Sequence, residues 1–276
     1  MIDVQNISFK YAGAKHLVFD DFSLQLEENR IYGLLGKNGT GKSTLLYLLS
    51  GLLRPFCGSV CCDGIATKDR QPETLRDIFL VTEEFEMPAI CLSEYVKLYK
   101  PFYPNFSDEI LQGCLADFEL PADVHLGQLS MGQRKKAYIA FAMATNTKYL
   151  LMDEPTNGLD IPSKSQYRKV IAQHMTEERT VVISTHQVHD VEQMLDHILI
   201  LDQRSVLLNA TMQQIQDHYT FEYRSPQEMD DTVLYAEPTL QGNAVITKRQ
   251  EGDAETQVNL ELLFNYKTTQ KTGPVL

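Results

Sequence analysis

The chain has no tryptophan, no surplus of positive charge, and no apolar run near the ~18 residues needed to cross a bilayer. The missing long run excludes a membrane-spanning helix. Against 37 Asp and Glu stand only 25 Lys and Arg, a formal net charge of −12. That balance argues against nucleic acid as the partner, because such binding is driven by Lys and Arg neutralising phosphates. Cysteine is sparse as well: Cys57, Cys61, Cys62, Cys91 and Cys114 contain no C-x-x-C pair. They read as buried or incidental thiols in a reducing compartment. Met1-Ile2-Asp3-Val4 lacks the basic stretch and apolar core of a secretory signal, so a cytoplasmic location is expected. At 276 residues, the chain can bury one large core plus an appendage.

What is present begins with a phosphate loop. Gly36-Lys37-Asn38-Gly39-Thr40-Gly41-Lys42-Ser43-Thr44 fits G-x-x-x-x-G-K-[ST] and stands between the apolar run Ile31 to Leu35 and the helix-forming run Leu45 to Leu49. Strand, glycine loop and helix are the context that this motif requires. Gly36, Gly39 and Gly41 let the backbone curl so that its N–H groups face one way, and the helix start adds its positive dipole end. Lys42 then reaches the β- and γ-phosphates of a nucleotide, and the Ser43 hydroxyl takes a place on Mg²⁺.

Many enzymes own such a loop, and the second half of the chain discriminates among them. Tyr149 to Met152 reads as a buried parallel strand that ends in Asp153-Glu154-Pro155. Ligands of open α/β sheets collect at the carboxyl ends of strands. Asp153 suits an outer-sphere partner of Mg²⁺, and Glu154 is then free to hold or deprotonate the attacking water. His186 follows another buried run, Thr180 to Thr185, and His174, His189 and His197 read as surface or packing residues. Leu129-Ser130-Met131-Gly132-Gln133 opens a helix, with Ser130 as its N-cap.

In this order the motifs resemble the nucleotide-binding subunit of an ATP-binding cassette (ABC) transporter, over about residues 2 to 210. The resemblance implies an α/β fold: a P-loop NTPase core with a mainly parallel sheet, an antiparallel β subdomain, and a helical subdomain inserted at about 88–147. It implies ATP and Mg²⁺ as ligands, hydrolysis by Glu154 and His186, and metal contacts from Ser43, Asp153 and the residue that aligns with the family's usual Gln, here Glu83. Glu84 is the alternative at that position. Tyr11 matches the family's adenine-stacking aromatic; packing at the end of a strand is its other reading. In the family two subunits sandwich two ATP molecules head to tail. Ser130, Met131, Gly132 and Gln133 would therefore act on the partner's ATP, and Asp160 matches the loop through which the subunits sense each other, or is simply a helix N-cap.

Two departures stand out. Met131 replaces the usual Gly, at a position that varies in the family. Glu83 replaces an amide with a harder Mg²⁺ ligand and adds negative charge near the γ-phosphate, which is expected to shift nucleotide affinity and its Mg²⁺ dependence.

The resemblance further implies an integral membrane permease as partner, peripheral attachment to the inner face of the cell membrane, and a second ATP-binding subunit, with intact motifs pointing to two copies. Glu83 and Phe102-Tyr103-Pro104-Asn105-Phe106 resemble bacterial exporter-type subunits. The alternative is a soluble cassette ATPase acting as a nucleotide-driven clamp or in iron–sulfur assembly. Residues 211–276 leave the family core. Val233 to Ala236 and Ala244 to Lys248 read as paired strands, and Val258 to Phe264 as a short amphipathic segment. This accessory region is expected to pack on the core or on a twin, with a structural rather than regulatory duty.

Overall fold

Alternate residues of the apolar runs face two different cores, and this period-two split builds the molecule around one sheet. The computed structural model describes residues 1–202, 205–250 and 252–270. Along the chain come β1 (Ile2–Phe9), β2 (Phe19–Leu26), β3 (Ile31–Gly36), α1 (Lys42–Leu49), β4 (Cys57–Cys62), β5 (Ile65–Ala66), α2 (Pro72–Leu75) and β6 (Ile78–Val81). Next are α3 (Leu92–Tyr99), α4 (Asp108–Asp117), α5 (Met131–Ala144), β7 (Tyr149–Asp153), α6 (Ile161–Gln173), β8 (Thr180–Thr185) and β9 (His197–Asp202). The remainder holds β10 (Ser205–Thr211), α7 (Met212–His218), β11 (Tyr219–Arg224), β12 (Val233–Thr239), β13 (Gly242–Lys248) and α8 (Leu260–Gln270).

The main sheet has the order β10-β9-β3-β8-β7-β6, parallel except for β10 at its edge. Every residue of β3, β7 and β8 is buried, as expected of strands covered on both faces. Tyr149, Leu151 and Val182 face a core shared with α1 and the antiparallel sheet β2-β1-β4-β5. Leu150, Met152, Val181 and Ile183 face the opposite core, built with α4, α5, α6 and α8. The order places β8 between β3 and β7, with β6 beyond β7. Everything that follows these four strands in sequence therefore emerges along one edge of the sheet.

The inserted helices pack around Phe141 of α5. Tyr95, Tyr99, Tyr103, Phe106 and Phe79 lie with ring centroids 4.9 to 6.4 Å from its ring. The aromatic cluster of this segment is thus largely core, while Leu98, Tyr99 and Phe102 remain exposed. Behind α5, the buried Arg179 donates from Nη2 to Met143 O (3.0 Å) and Asn146 Oδ1 (2.7 Å) and from Nη1 to His174 O (3.1 Å). Burial pushes its pKa down to about 10. It ties the end of the insert to the loop before β8.

The accessory strands pair in the order β11-β13-β12, and the polar strand β11 and helix α7 were not foreseen. Of the two placements expected for this region, packing on the core is the one observed. Leu260, Leu262, Leu263 and Tyr266 of α8 join the same apolar cluster as Ile198 and Ile200 of β9. Leu263→Ala is accordingly expected to destabilise the whole chain by about 2–5 kcal/mol in one transition. Separate denaturant transitions for the core and the accessory region would contradict a shared core.

His189, in the turn Val188–Asp190, bonds through Nε2 to Glu261 Oε2 of α8 (2.6 Å), with Glu192 on its other nitrogen (3.5 Å). These carboxylates, Glu261 first, outweigh burial and raise the histidine above its ordinary 6.5. The stabilisation is therefore fully present below pH 6.5 and lost as pH rises through the folded-state value. Exposure keeps it small. The difference in Tm between the wild type and His189→Gln should narrow from about pH 5.5 to about pH 8.5; a constant difference would remove this ion pair from the account.

Candidate functional site

The phosphate loop closes on its own lysine. Gly39 and Gly41 take φ of 82° and 102°, in the left-handed region that favours glycine. A Cβ on Gly39 would meet nothing within 4 Å, whereas one on Gly41 would run into Phe19 and Val18 at 2.9 Å. One glycine thus opens the loop to a ligand, and the other lets it lie close on the antiparallel sheet. Buried Lys42 donates from Nζ to Gly36 O (2.7 Å) and Lys37 O (3.4 Å). Burial lowers its pKa, opposed by the carboxylates of Glu154, Asp153 and Glu83. Thr40 is buried and donates to Lys37 O (2.9 Å), which braces the loop from inside. Tyr11, just past β1, packs edge-on against Phe9, and its hydroxyl meets Thr44 Oγ1 at 3.0 Å. A cavity of about 360 Å³ lies over the loop between Tyr11, Asn38, Lys42, Ser43, Glu83 and Glu154.

Glu154 sits where β7 ends, and its backbone is left-handed, with φ of 45°. A non-glycine residue held there costs on the order of 1–3 kcal/mol and persists only when its surroundings over-determine it. Here they do. Glu154 N donates to Ser184 O (3.1 Å) and Ser184 Oγ (3.2 Å), and Glu154 O accepts from the buried Lys135 Nζ (3.0 Å), which also donates to Asn157 O (2.8 Å). The turn brings Glu154 Oε1 within 2.8 Å of His186 Nδ1 and 3.9 Å of Lys42 Nζ. Buried Asp153 accepts from Ser184 Oγ (2.5 Å). Exposed Glu83, two residues past β6, accepts from Asn157 Nδ2 (2.8 Å) and lines the same cavity. Glu84 lies instead on a neighbouring cavity with Phe85, Glu86, Met131 and Arg134.

The edge therefore unites the phosphate loop, Asp153, Glu154, His186 and Glu83. Sequence reasoning missed Lys135 and passed over Ser184 as a site residue. The signal for Lys135 was there: it falls four residues before buried Ile139, on the inward face of α5, where a charge must find partners. Burial lowers its pKa, against the pull of Glu83, Glu154 and Asp153.

The signature segment lies elsewhere. Ser130 Oγ accepts from Gln133 N (3.3 Å) and Gln133 Oε1 from Ser130 N (3.1 Å), a reciprocal cap that fixes the start of α5. Ser130, Met131 and Gln133 are exposed, and Met131 is 76% so. A Cβ on Gly132 would lie 3.7 Å from Gly158 O. None of Ser130 to Gln133 borders the cavity over the phosphate loop. Asp160 caps α6, its Oδ1 accepting from Ser163 N (2.9 Å), so its N-cap reading is realised.

The donor set suits a nucleoside triphosphate. Loop N–H groups, a buried ammonium and an unobstructed Gly39 would hold phosphate, and Tyr11 offers a ring at the mouth. Among the described residues no cluster of three or more His, Cys, Asp or Glu could hold a metal. Mg²⁺ does not require one, since it usually takes one or two protein ligands together with substrate phosphates. Ser43 and Glu83, which border the cavity, would supply those, with Asp153 as an outer-sphere partner.

Residues 19–157 match the family described as "ABC transporter". The Nod factor export ATP-binding protein I of Cupriavidus metallidurans is 26% identical over 73% of this chain and 68% of its own length. The zinc uptake system ATP-binding protein ZurA of Listeria innocua is 28% identical over 75% and 84%. The cassette MJ0796, solved as a dimer and in a dimeric post-hydrolysis state bound to ADP and Pi, is 27% identical, with TM-scores of 0.66 and 0.67 over 77% of this chain and 99% of its own. Loop, carboxylate edge and signature helix together place this chain in the ABC transporter family, as an ATP-binding, ATP-hydrolysing cassette.

Proposed function

We propose that two copies of this chain hydrolyse ATP between them and drive a separately encoded membrane permease, from a position on the inner face of the cell membrane. The observation that carries this reading is the separation of the signature residues from their own chain's phosphate cavity. Exposed Ser130 and half-buried Gly132 stand at a helix N-terminus suited to an anion, yet they do not border that cavity. A second copy, arranged head to tail, would bring them to the γ-phosphate. The dimeric MJ0796 cassette supports that arrangement.

In this reading Lys42 and the loop N–H groups orient the phosphates. Glu154 takes a proton from the attacking water, and His186, bonded to the same carboxylate, fixes where that water sits. Mg²⁺, held by Ser43 and Glu83 with Asp153 as an outer-sphere partner, would offset charge on the phosphates. Asn157, bonded to Glu83, links that carboxylate to the loop leading to Asp160. Closure on ATP and reopening after hydrolysis would move the exposed Leu98, Tyr99 and Phe102 of the helical insert, where an apolar segment of the permease would dock. Export is the direction favoured by Glu83 and the Phe102 to Phe106 segment. Relatives named for export and for uptake both exist, so transport of membrane-bound cargo has to decide it.

Glu154→Gln should reduce turnover by about 10²-fold or more while ATP-dependent dimerisation, read by light scattering, persists. Equal specific activity at all protein concentrations, from a species that stays monomeric with ATP, would contradict the two-chain site. Affinity purification of the full chain from detergent-solubilised membranes should recover a multi-span protein; a complex wholly free of membrane protein would favour the soluble clamp.

A further inference from the structure

We infer that the C-terminal accessory region acts on hydrolysis itself, through Phe264 of α8 as a positioning residue for the His186 turn. This rests on the reading of His186 given above. A cavity of about 270 Å³ lies beside the phosphate loop, bounded by Gly36, Lys37, Asn38, His186, Val188 and, from the far end of the chain, Phe264. Among the described residues, no other residue of the accessory region borders it. Phe264 is half-buried, while its neighbours Leu262 and Leu263 are sunk in the core.

The turn after His186 is gripped from two sides. Lys164 of α6 donates to Gln187 Oε1 (3.0 Å) and pairs with Asp190 (2.7 Å). On the opposite side α8 packs against the turn, with Glu261 on His189 and buried Val188 and Val191 in one cluster with Leu260 and Leu263. The imidazole of His186, 39% exposed, is held through Nδ1 by Glu154, and its backbone runs from the buried strand β8 into this turn. Open volume on the Phe264 side leaves the turn unpacked there, and the phenyl ring bounds that volume. Misplacing a reacting group by about 1 Å can cost ~10²-fold, so a ring that sets the position of His186 can alter turnover without touching the nucleotide.

The arrangement separates turnover from binding. Lys42, Ser43 and Tyr11 border the cavity over the loop and not this one, and of the phosphate loop only Gly36, Lys37 and Asn38 face Phe264 across it. Phe264→Ala should therefore lower kcat about tenfold, leave KM for ATP within about twofold, and shift or broaden the His186 ring resonances in NMR spectra. Phe264→Leu, which refills most of the space, should recover most of the rate. Val245→Ala, in the buried face of β13, supplies a stability control: a lower Tm with kcat retained while the chain is folded.

His186→Ala is measured in parallel. If it abolishes turnover while Phe264→Ala leaves both kcat and the ring resonances unchanged, the proposal falls and the reading of His186 stands. A fall in kcat for Phe264→Ala that Val245→Ala reproduces at equal Tm also overturns it, because the effect is then one of stability. Unchanged turnover in His186→Ala removes the reading of His186 and the inference with it.

Discussion

The backbone at Glu154 turns left-handed straight out of a fully buried strand, and the reactive edge depends on that turn being held. Two elements converge on it. Ser184 of β8 takes the Glu154 N–H and gives its own hydroxyl proton to Asp153, and Lys135 of the signature helix binds the carbonyls of Glu154 and Asn157. Because Ser130 caps α5 and Lys135 lies on it, the residue that fixes the carboxylate proposed as hydrolytic rides on the same rigid body as the segment proposed to cover the partner's nucleotide. A shift of that helix relative to β7 would disturb the hydrolytic turn, which gives the two proposed sites a physical route by which each could sense closure of the other.

Much of this was legible in the sequence, for a definite reason. The strands that carry the reactive groups are buried on both faces, so they appear as unbroken apolar runs, and each reactive residue follows directly at the run's carboxyl end. Gly39 and Gly41 stand where positive φ is needed, and the Ser130–Gln133 cap is written in adjacent positions. Lateral order is different. Nothing local says that β8 inserts between β3 and β7, yet that order is what puts His186 beside Glu154.

Apart from α7, which packs on the strands on either side of it, what was unforeseen shares one property: partners distant in sequence. Strand β11, Tyr219–Arg224, mixes aromatic, acidic and basic residues and forms only because β13 pairs with it. Arg179 looks like a surface residue until the ends of α5 and α6 offer it the carbonyls of Met143 and His174, with the Asn146 side chain beside them. The segment read as ending at Phe264 continues as a helix to Gln270, because Tyr266 and Lys267 find cover against Tyr219, with Lys267 Nζ 2.9 Å from its hydroxyl. Helix α8 thereby becomes a strut between the accessory sheet and the edge of the core rather than a loose tail.

Charge supplies a reason for the two-chain site proposed above. Lys42 and Lys135 contribute two formal positive charges, and Glu83, Asp153 and Glu154 three negative ones, so the groups that perturb both lysines sum to −1. A triphosphate adds more negative charge beside buried carboxylates, where the effective dielectric constant is low and like charges repel strongly. Loop N–H groups and Lys42 offset part of this. Under the proposed reading a divalent cation offsets another part, and an exposed helix N-terminus, equivalent to roughly half a positive charge, offsets a third. The helix that begins at Met131 has such an end, its Ser130 cap leaves that end facing solvent, and it lies away from its own cavity. Glu83 makes the demand larger than an amide there would, because it deepens the negative field that any nucleotide must enter. Binding in one chain alone then leaves charge uncompensated, and closure against a second chain relieves it. That difference in electrostatic free energy between open and closed states is what would let nucleotide binding do mechanical work on a docked partner.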